Sequence, residues 1–110
     1  MAHDPVLAER LRALLRAEAG LTEQRMFGGL AFLLHGHMAV VASGQGGLML
    51  RLPADEADAL VASEGVALME MRGRPMRGWL RVDTERVAAA DALAGWVARS
   101  VAFVRTLPPK

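Results

Sequence analysis

Apolar residues along the chain change their spacing repeatedly, and each change marks a change of structure. Leu7, Leu11, Leu14 and Leu15 recur at helical spacing while Glu9, Arg10, Arg12 and Arg16 lie off that stripe, which predicts an amphipathic first helix. Asp4-Pro5 supplies its start, because an Asp side chain accepts an orphan N–H and proline's fixed φ suits the first helical position. Gly20 supplies a left-handed stop. From Thr22 to Leu52 the apolar runs shorten to strand length. Strands are expected around 24–34, 38–43 and 47–52, joined by turns at His35-Gly36-His37 and Gly44-Gln45-Gly46-Gly47. Glycine there allows the positive φ of tight hairpins. In Met38-Ala39-Val40-Val41 apolar residues fall on both parities, so this part of the sheet is expected either to be covered on both faces or to lie in a subunit interface.

Pro53 closes the third run, and Asp55 is expected to cap a short helix with Glu56 and Asp58 in its first turn and Leu60 and Val61 as its apolar face. After Gly65 come a strand over 66–71, the connection Arg72-Gly73-Arg74-Pro75 and a strand over 76–82. A two-residue period places Met76, Gly78, Leu80 and Val82 on one face of that strand and Arg77, Trp79 and Arg81 on the other. Asp83 or Thr84 can cap a final helix reaching Arg105, before Pro108 and Pro109 forbid continuation. Its apolar residues, from Val87 and Leu93 through Trp96 and Val97 to Val101, Phe103 and Val104, spread over roughly 200°, about twice the stripe of an ordinary surface helix. Such a helix is either sandwiched within the domain or shared with an oligomer interface. The pattern predicts an α+β fold in one domain over 1–110: an antiparallel β-meander of about five strands with an N-terminal helix, a short middle helix and a long C-terminal helix.

Composition narrows the chemistry. Without cysteine there is no disulfide, no thiolate nucleophile and no sulfur-built zinc site. Thirteen basic residues against twelve acidic ones give a formal charge of +1, so a nucleic-acid role must rest on a local patch. No apolar run approaches the roughly 20 residues of a spanning helix. The N-terminus, Met1-Ala2-His3-Asp4-Pro5, lacks a basic segment followed by an apolar one, so the expected location is the cytoplasm, with no membrane partner.

Three local features invite chemistry. Arg25-Met26-Phe27-Gly28-Gly29 has a glycine pair but neither the ending of a P-loop nor the spacing of a dinucleotide fingerprint. It reads as a structural corner in which the glycines allow a bulge or a close backbone approach and Met26 and Phe27 anchor a core. His35 and His37 share a turn but have no further ligand in reach of the sequence, so they read as exposed turn residues. Arg72, Arg74, Arg77 and Arg81 surround Trp79 with no acid between positions 71 and 82. They are the candidate anion or nucleic-acid surface, through stacking on Trp79 and phosphate contacts from the arginines. The plainer reading buries Trp79 and pairs the arginines with Glu64, Glu70, Asp83 and Glu85. No catalytic, cofactor-binding or metal-ligating constellation emerges, because Ser43, Ser63 and Ser100 lie in no nucleophile context and the carboxylates of 55–58 are helix-start charges.

The run Arg25-Met26-Phe27-Gly28-Gly29, then the Gly36 turn, Met38-Ala39, Leu48-Met49-Leu50-Arg51, Met76-Arg77-Gly78-Trp79 and a final helix with Trp96 resembles the N-terminal domain of the TfoX/Sxy family of competence regulators. The resemblance implies an α+β fold with a meandering antiparallel sheet and helices at both ends, and an association with regulation of DNA-uptake and transformation genes. It implies no catalytic residues. Full-length regulators of this kind carry a further C-terminal helical domain, whereas this chain stops at Lys110, so a stand-alone domain is expected. His35 and His37, and the absence of Tyr from the strands, depart from the family pattern. The expected role is a non-enzymatic regulatory domain acting by protein–protein contact, with a homodimer formed through apolar surface of the sheet or last helix and an unidentified protein partner. A nucleic-acid module built on the Arg72–Arg81 patch is the first alternative, and a small-molecule-binding protein or an enzyme the second.

Overall fold

The computed structural model describes residues 5–26, 28–44 and 46–108. Asp4, expected to start the first helix, and Phe27, Gln45 and Pro109 lie outside them. The elements are helix α1 (Pro5–Leu15), strands β1 (Leu21–Met26), β2 (Gly29–Leu34), β3 (His37–Ala42) and β4 (Leu48–Arg51), helix α2 (Ala54–Leu60), strands β5 (Val66–Met71) and β6 (Arg74–Val82), a 3₁₀ turn (Thr84–Val87) and helix α3 (Ala90–Val104). One antiparallel sheet of six strands runs in the order β1-β2-β3-β4-β6-β5. The α+β expectation holds, with a meander through β4. After it, α2 leads to the edge strand β5 and β6 returns to pair with β4.

The sixth strand appears because the run expected as one strand over 24–34 is a hairpin. β1 ends at Met26, β2 begins at Gly29, and those two residues face each other across the pair. Gly28 between them has φ 72°. Periodicity does not show a tight turn inside an apolar run, so the glycine pair was the only mark of it. Gly29 and Gly44 also remove bulk where backbones meet: a methyl group on Gly29 would strike the carbonyl oxygen of Ala42, and one on Gly44 the carbonyl oxygen of Gly28. The tip of the first hairpin is thereby stitched to the end of β3.

All three helices cover one face of the sheet. α3 crosses β3 and β4, α2 lies on β6, and α1 rests on β3 and α3. Leu11, Phe32, Leu48, Leu50, Leu80 and Leu93 are sealed between the layers, each contributing on the order of 1.5–3 kcal/mol by leaving water. Leu14 is an exception to the expected stripe of α1: it is 41% exposed, while Ala8 is buried in its stead. The broad apolar arc of α3 is sandwiched, with Leu93, Val97 and Val104 buried and Trp96, Val101 and Phe103 half-buried on the same core. α3 starts later than the sequence suggests. Asp83 makes no side-chain cap, and its carbonyl accepts the Arg86 N–H in the 3₁₀ turn that drives Val87 into the core. Asp55 likewise does not cap α2, which follows Pro53 directly and has Asp55 in its first turn. No helix among the described residues is long and apolar enough to cross a membrane.

The mixed parity of Met38-Ala39-Val40-Val41 has a local cause. Pairing passes from Leu33↔Met38 to Phe32↔Val40 and leaves Ala39 without an opposite residue, a bulge that turns both Ala39 and Val40 toward the helices and Met38 and Val41 away from them. Beyond Val40↔Leu50 the β3–β4 ladder ends. There the hydroxyl of the fully buried Ser100 on α3 sits 2.9 Å from the carbonyl oxygen of Ala39 and 2.8 Å from that of Arg51, sharing its single proton between two acceptors that the sheet leaves over.

At the other edge Arg12 of α1 grips Glu23 of β1 with two hydrogen bonds, 2.7 and 2.9 Å, and also contacts Glu9. The Arg12 hydrogen bond, reinforced by its charge, holds the Glu23 carboxyl below its usual value.

Gly29→Ala should lower stability by more than about 1 kcal/mol in urea unfolding, because the added methyl meets backbone. Gly95→Ala, on the exposed side of α3 with no atom near its Cβ position, should raise it by about 0.5–1 kcal/mol. Since the Glu23 pKa is depressed on folding, its contribution is present at neutral pH and lost as pH falls through the folded value. The stability gap between wild type and Glu23→Gln should therefore close on acidification from neutral to about pH 3, and in NMR titration Arg12→Gln should move the Glu23 midpoint upward.

Candidate functional site: a methionine-lined cleft

Among the described residues no helix lies on the sheet's other face, yet that face is not bare. Ala31 and Val41 are fully buried there and Met49 nearly so, packed beneath Met26, Leu33, Met38 and Met69. Flexible, unbranched methionine side chains lie down to do what a second helical layer would do elsewhere. Over β4, β6 and β5 that cover opens into a cleft of about 490 Å³. Its walls are Met38, Met49, Met69 and Met76 with Trp79, and its polar groups are Arg81, Ser43 and Glu70.

The sheet register places these residues. Met49 and Ala67 flank Arg81 on neighbouring strands, and Arg51 stands opposite Trp79. Between the pairs Leu68↔Leu80 and Glu70↔Pro75, β5 advances two residues and β6 five, so β6 swells outward over 76–79. Gly78 makes the swelling feasible with φ 86°, and its carbonyl accepts the Leu52 N–H at 2.8 Å. The two-residue alternation expected for 76–82 fails at this point. Met76 joins Trp79 and Arg81 in the cleft, while Arg77 turns to α2 and binds Asp58 at 2.8 Å with Asp55 at 3.8 Å. The Asp58 hydrogen bond and charge, with Asp55 adding, raise the Arg77 guanidinium further above its ordinary value.

The arginine patch is therefore divided. Trp79 and Arg81 lie together in the cleft, Arg77 lies with the acids of α2 rather than with Glu64, Glu70, Asp83 or Glu85, and Arg72 and Arg74 are exposed at the β5–β6 hairpin. Trp79 is held from behind: the Arg51 guanidinium carbon is 5.7 Å from its ring centre and 5.6 Å from that of Phe103 on α3. Ser100 beside the Arg51 carbonyl fixes the same residue's backbone, so the helical layer positions the cleft's aromatic wall through Arg51. Sequence reasoning missed Arg51 and all four methionines. For three of the methionines a signal existed, because Met38, Met49 and Met69 stand within or at the ends of runs of Leu, Val and Ala, at positions facing away from the helices.

The turn histidines do not act together. His35 is exposed with φ 49°, whereas His37, expected to be exposed, is buried and donates from Nε2 to the Pro108 carbonyl at 2.5 Å. Among the described residues no three His, Cys, Asp or Glu side chains are grouped as metal ligands. Within the glycine corner, Arg25 is exposed on the edge strand β1, and Met26 belongs to the methionine cover.

A family model, the TfoX N-terminal domain, matches residues 13–104. The chain belongs to this family. No curated protein matches it significantly. In this TfoX N-terminal domain the matched span takes in all six strands, α2 and α3, and hence the entire cleft. In a Trp96→Phe background, Arg51→Met should shift Trp79 emission to the red and make it easier to quench, at a stability loss of about 1 kcal/mol from the missing cation–π contact. Unchanged Trp79 emission in a folded variant would show that Arg51 does not hold the ring.

Proposed function

We propose that this TfoX N-terminal domain is a non-enzymatic regulatory module that works by protein–protein contact through the open face of its sheet. The observation that carries the reading is the residue set collected on that face. Methionine, tryptophan and arginine are the types that protein interfaces concentrate at their centres, and here Met69, Met76, Trp79 and Arg81 surround one cleft. α3 offers less, because its own domain covers most of its apolar arc. Self-association as a homodimer belongs to the same reading, with the sheet face as the shared surface, and so does contact with a further protein partner. A bacterial, cytoplasmic setting and a part in competence regulation accord with the family. A nucleic-acid role would rest on Trp79 and Arg81, with Arg72 and Arg74 at the rim and without Arg77.

Sedimentation tests the homodimer. Wild type should dimerise at micromolar concentration, and Met69→Asp or Met76→Asp should sediment as a folded monomer, since a carboxylate would be stranded in apolar contact. A wild type that stays monomeric at higher concentration counts against self-association. Affinity capture from the native cell should retain a protein with wild type and lose it with Met76→Asp. Capture of nucleic acid instead, lost with Trp79→Ala and weakening steeply with salt, would favour the alternative.

A further inference from the structure

We infer that the cleft binds a small organic anion with an apolar body, by chemical class an aromatic or alkyl carboxylic acid. The inference rests on the open face being a binding surface and names what its deepest part holds. The volume of about 490 Å³ falls within the roughly 300–1,000 Å³ usual for small-molecule sites. The walls are apolar and adjustable, because methionine repacks around irregular shapes, and Trp79 is already held in place by Arg51. An aromatic surface ordered in advance lowers the entropy cost of binding.

Charge decides the class of ligand. Arg81 is half-buried between Met49 and Ala67, where little water screens it. A carboxylate meeting its planar fork there gains more than at an open surface. Glu70 also lines the cleft but is exposed, so water weakens its opposing charge more than it weakens that of the half-buried Arg81. Arg72 and Arg74 on the adjoining hairpin are exposed as well, so water weakens their charges in the same way. A bound acid would cover Met69, Met76 and Trp79, the residues a protein partner needs, so occupancy by one excludes the other and the small acid becomes a competitive regulator of the contact.

The probe is anilinonaphthalene sulfonate, an apolar aromatic body with one anionic group, set against uncharged phenylnaphthylamine. Wild type should bind the sulfonate at one saturable site with energy transfer from Trp79, read in Trp96→Phe protein. Arg81→Met should weaken the sulfonate about tenfold or more and leave the amine within about twofold. Ala67→Glu, at an exposed position directly across from Arg81, should produce the same selective loss and serves if Arg81→Met fails to fold. Absence of saturable sulfonate binding to folded wild type, or equal loss of both probes in the two variants, overturns the inference. The titration needs no partner and works on a monomer, so it fails or succeeds separately from the sedimentation test.

Discussion

A six-stranded sheet exposes two apolar faces, and the helices of this chain cover one of them. Everything else in the architecture follows from how the second face is kept from water. Ala31 and Val41 are as fully buried as residues under the helices, but the atoms above them belong to side chains of the same sheet. Such a cover lacks the continuous packing of a helix against a sheet, and where strands diverge it leaves a hollow. The cleft is thus a consequence of one-sided coverage, and methionine lets it remain adjustable without exposing the strands beneath.

Two departures from regular pairing decide what lines that hollow. The bulge at Ala39 sends an extra apolar residue to the helical side and leaves Met38 facing the cleft. The swelling of β6 around Gly78 is more consequential, because it separates Arg77 from Arg81. One joins the carboxylates of α2 and the other stays among methionines. Had the strand alternated regularly, Arg77 and Arg81 would have flanked Trp79 in a strip suited to a phosphate backbone. The irregularity converts it into a cleft with one guanidinium inside.

The large features of the fold were legible in sequence because they depend on local rules. Helical spacing marked α1 and α3, glycine turns marked the β2–β3 and β3–β4 connections, and Pro53 marked the start of α2. Local rules also explain the errors. Leu14 satisfies the helical stripe yet emerges at its margin, and the run over 24–34 conceals a reversal that only Gly28-Gly29 betrays. The site was harder to see because it depends on register. Which residue opposes Arg81, or which way Arg77 turns, follows from a five-against-two mismatch between strands that no single segment encodes. Arg51 could not be recognised as a support for Trp79 without knowing that β4 lies beside β6 and that α3 passes close enough to bring Phe103 to its other side.

The glycine corner has a physical task in this fold. Gly28 and Gly29 are not among the residues that line the cleft, so what they accomplish in this chain is structural. They bring the first hairpin's backbone against Ala42 and Gly44, the residues on either side of Ser43. Ser43 is buried and lines the cleft, and its backbone N–H bonds to the Gly47 carbonyl at 3.1 Å. A side chain at Gly29 would push on that junction and move one wall of the cleft. The corner therefore supports the Ser43 wall of the cleft, as Ser100 and Arg51 support its Trp79 wall from the helical side.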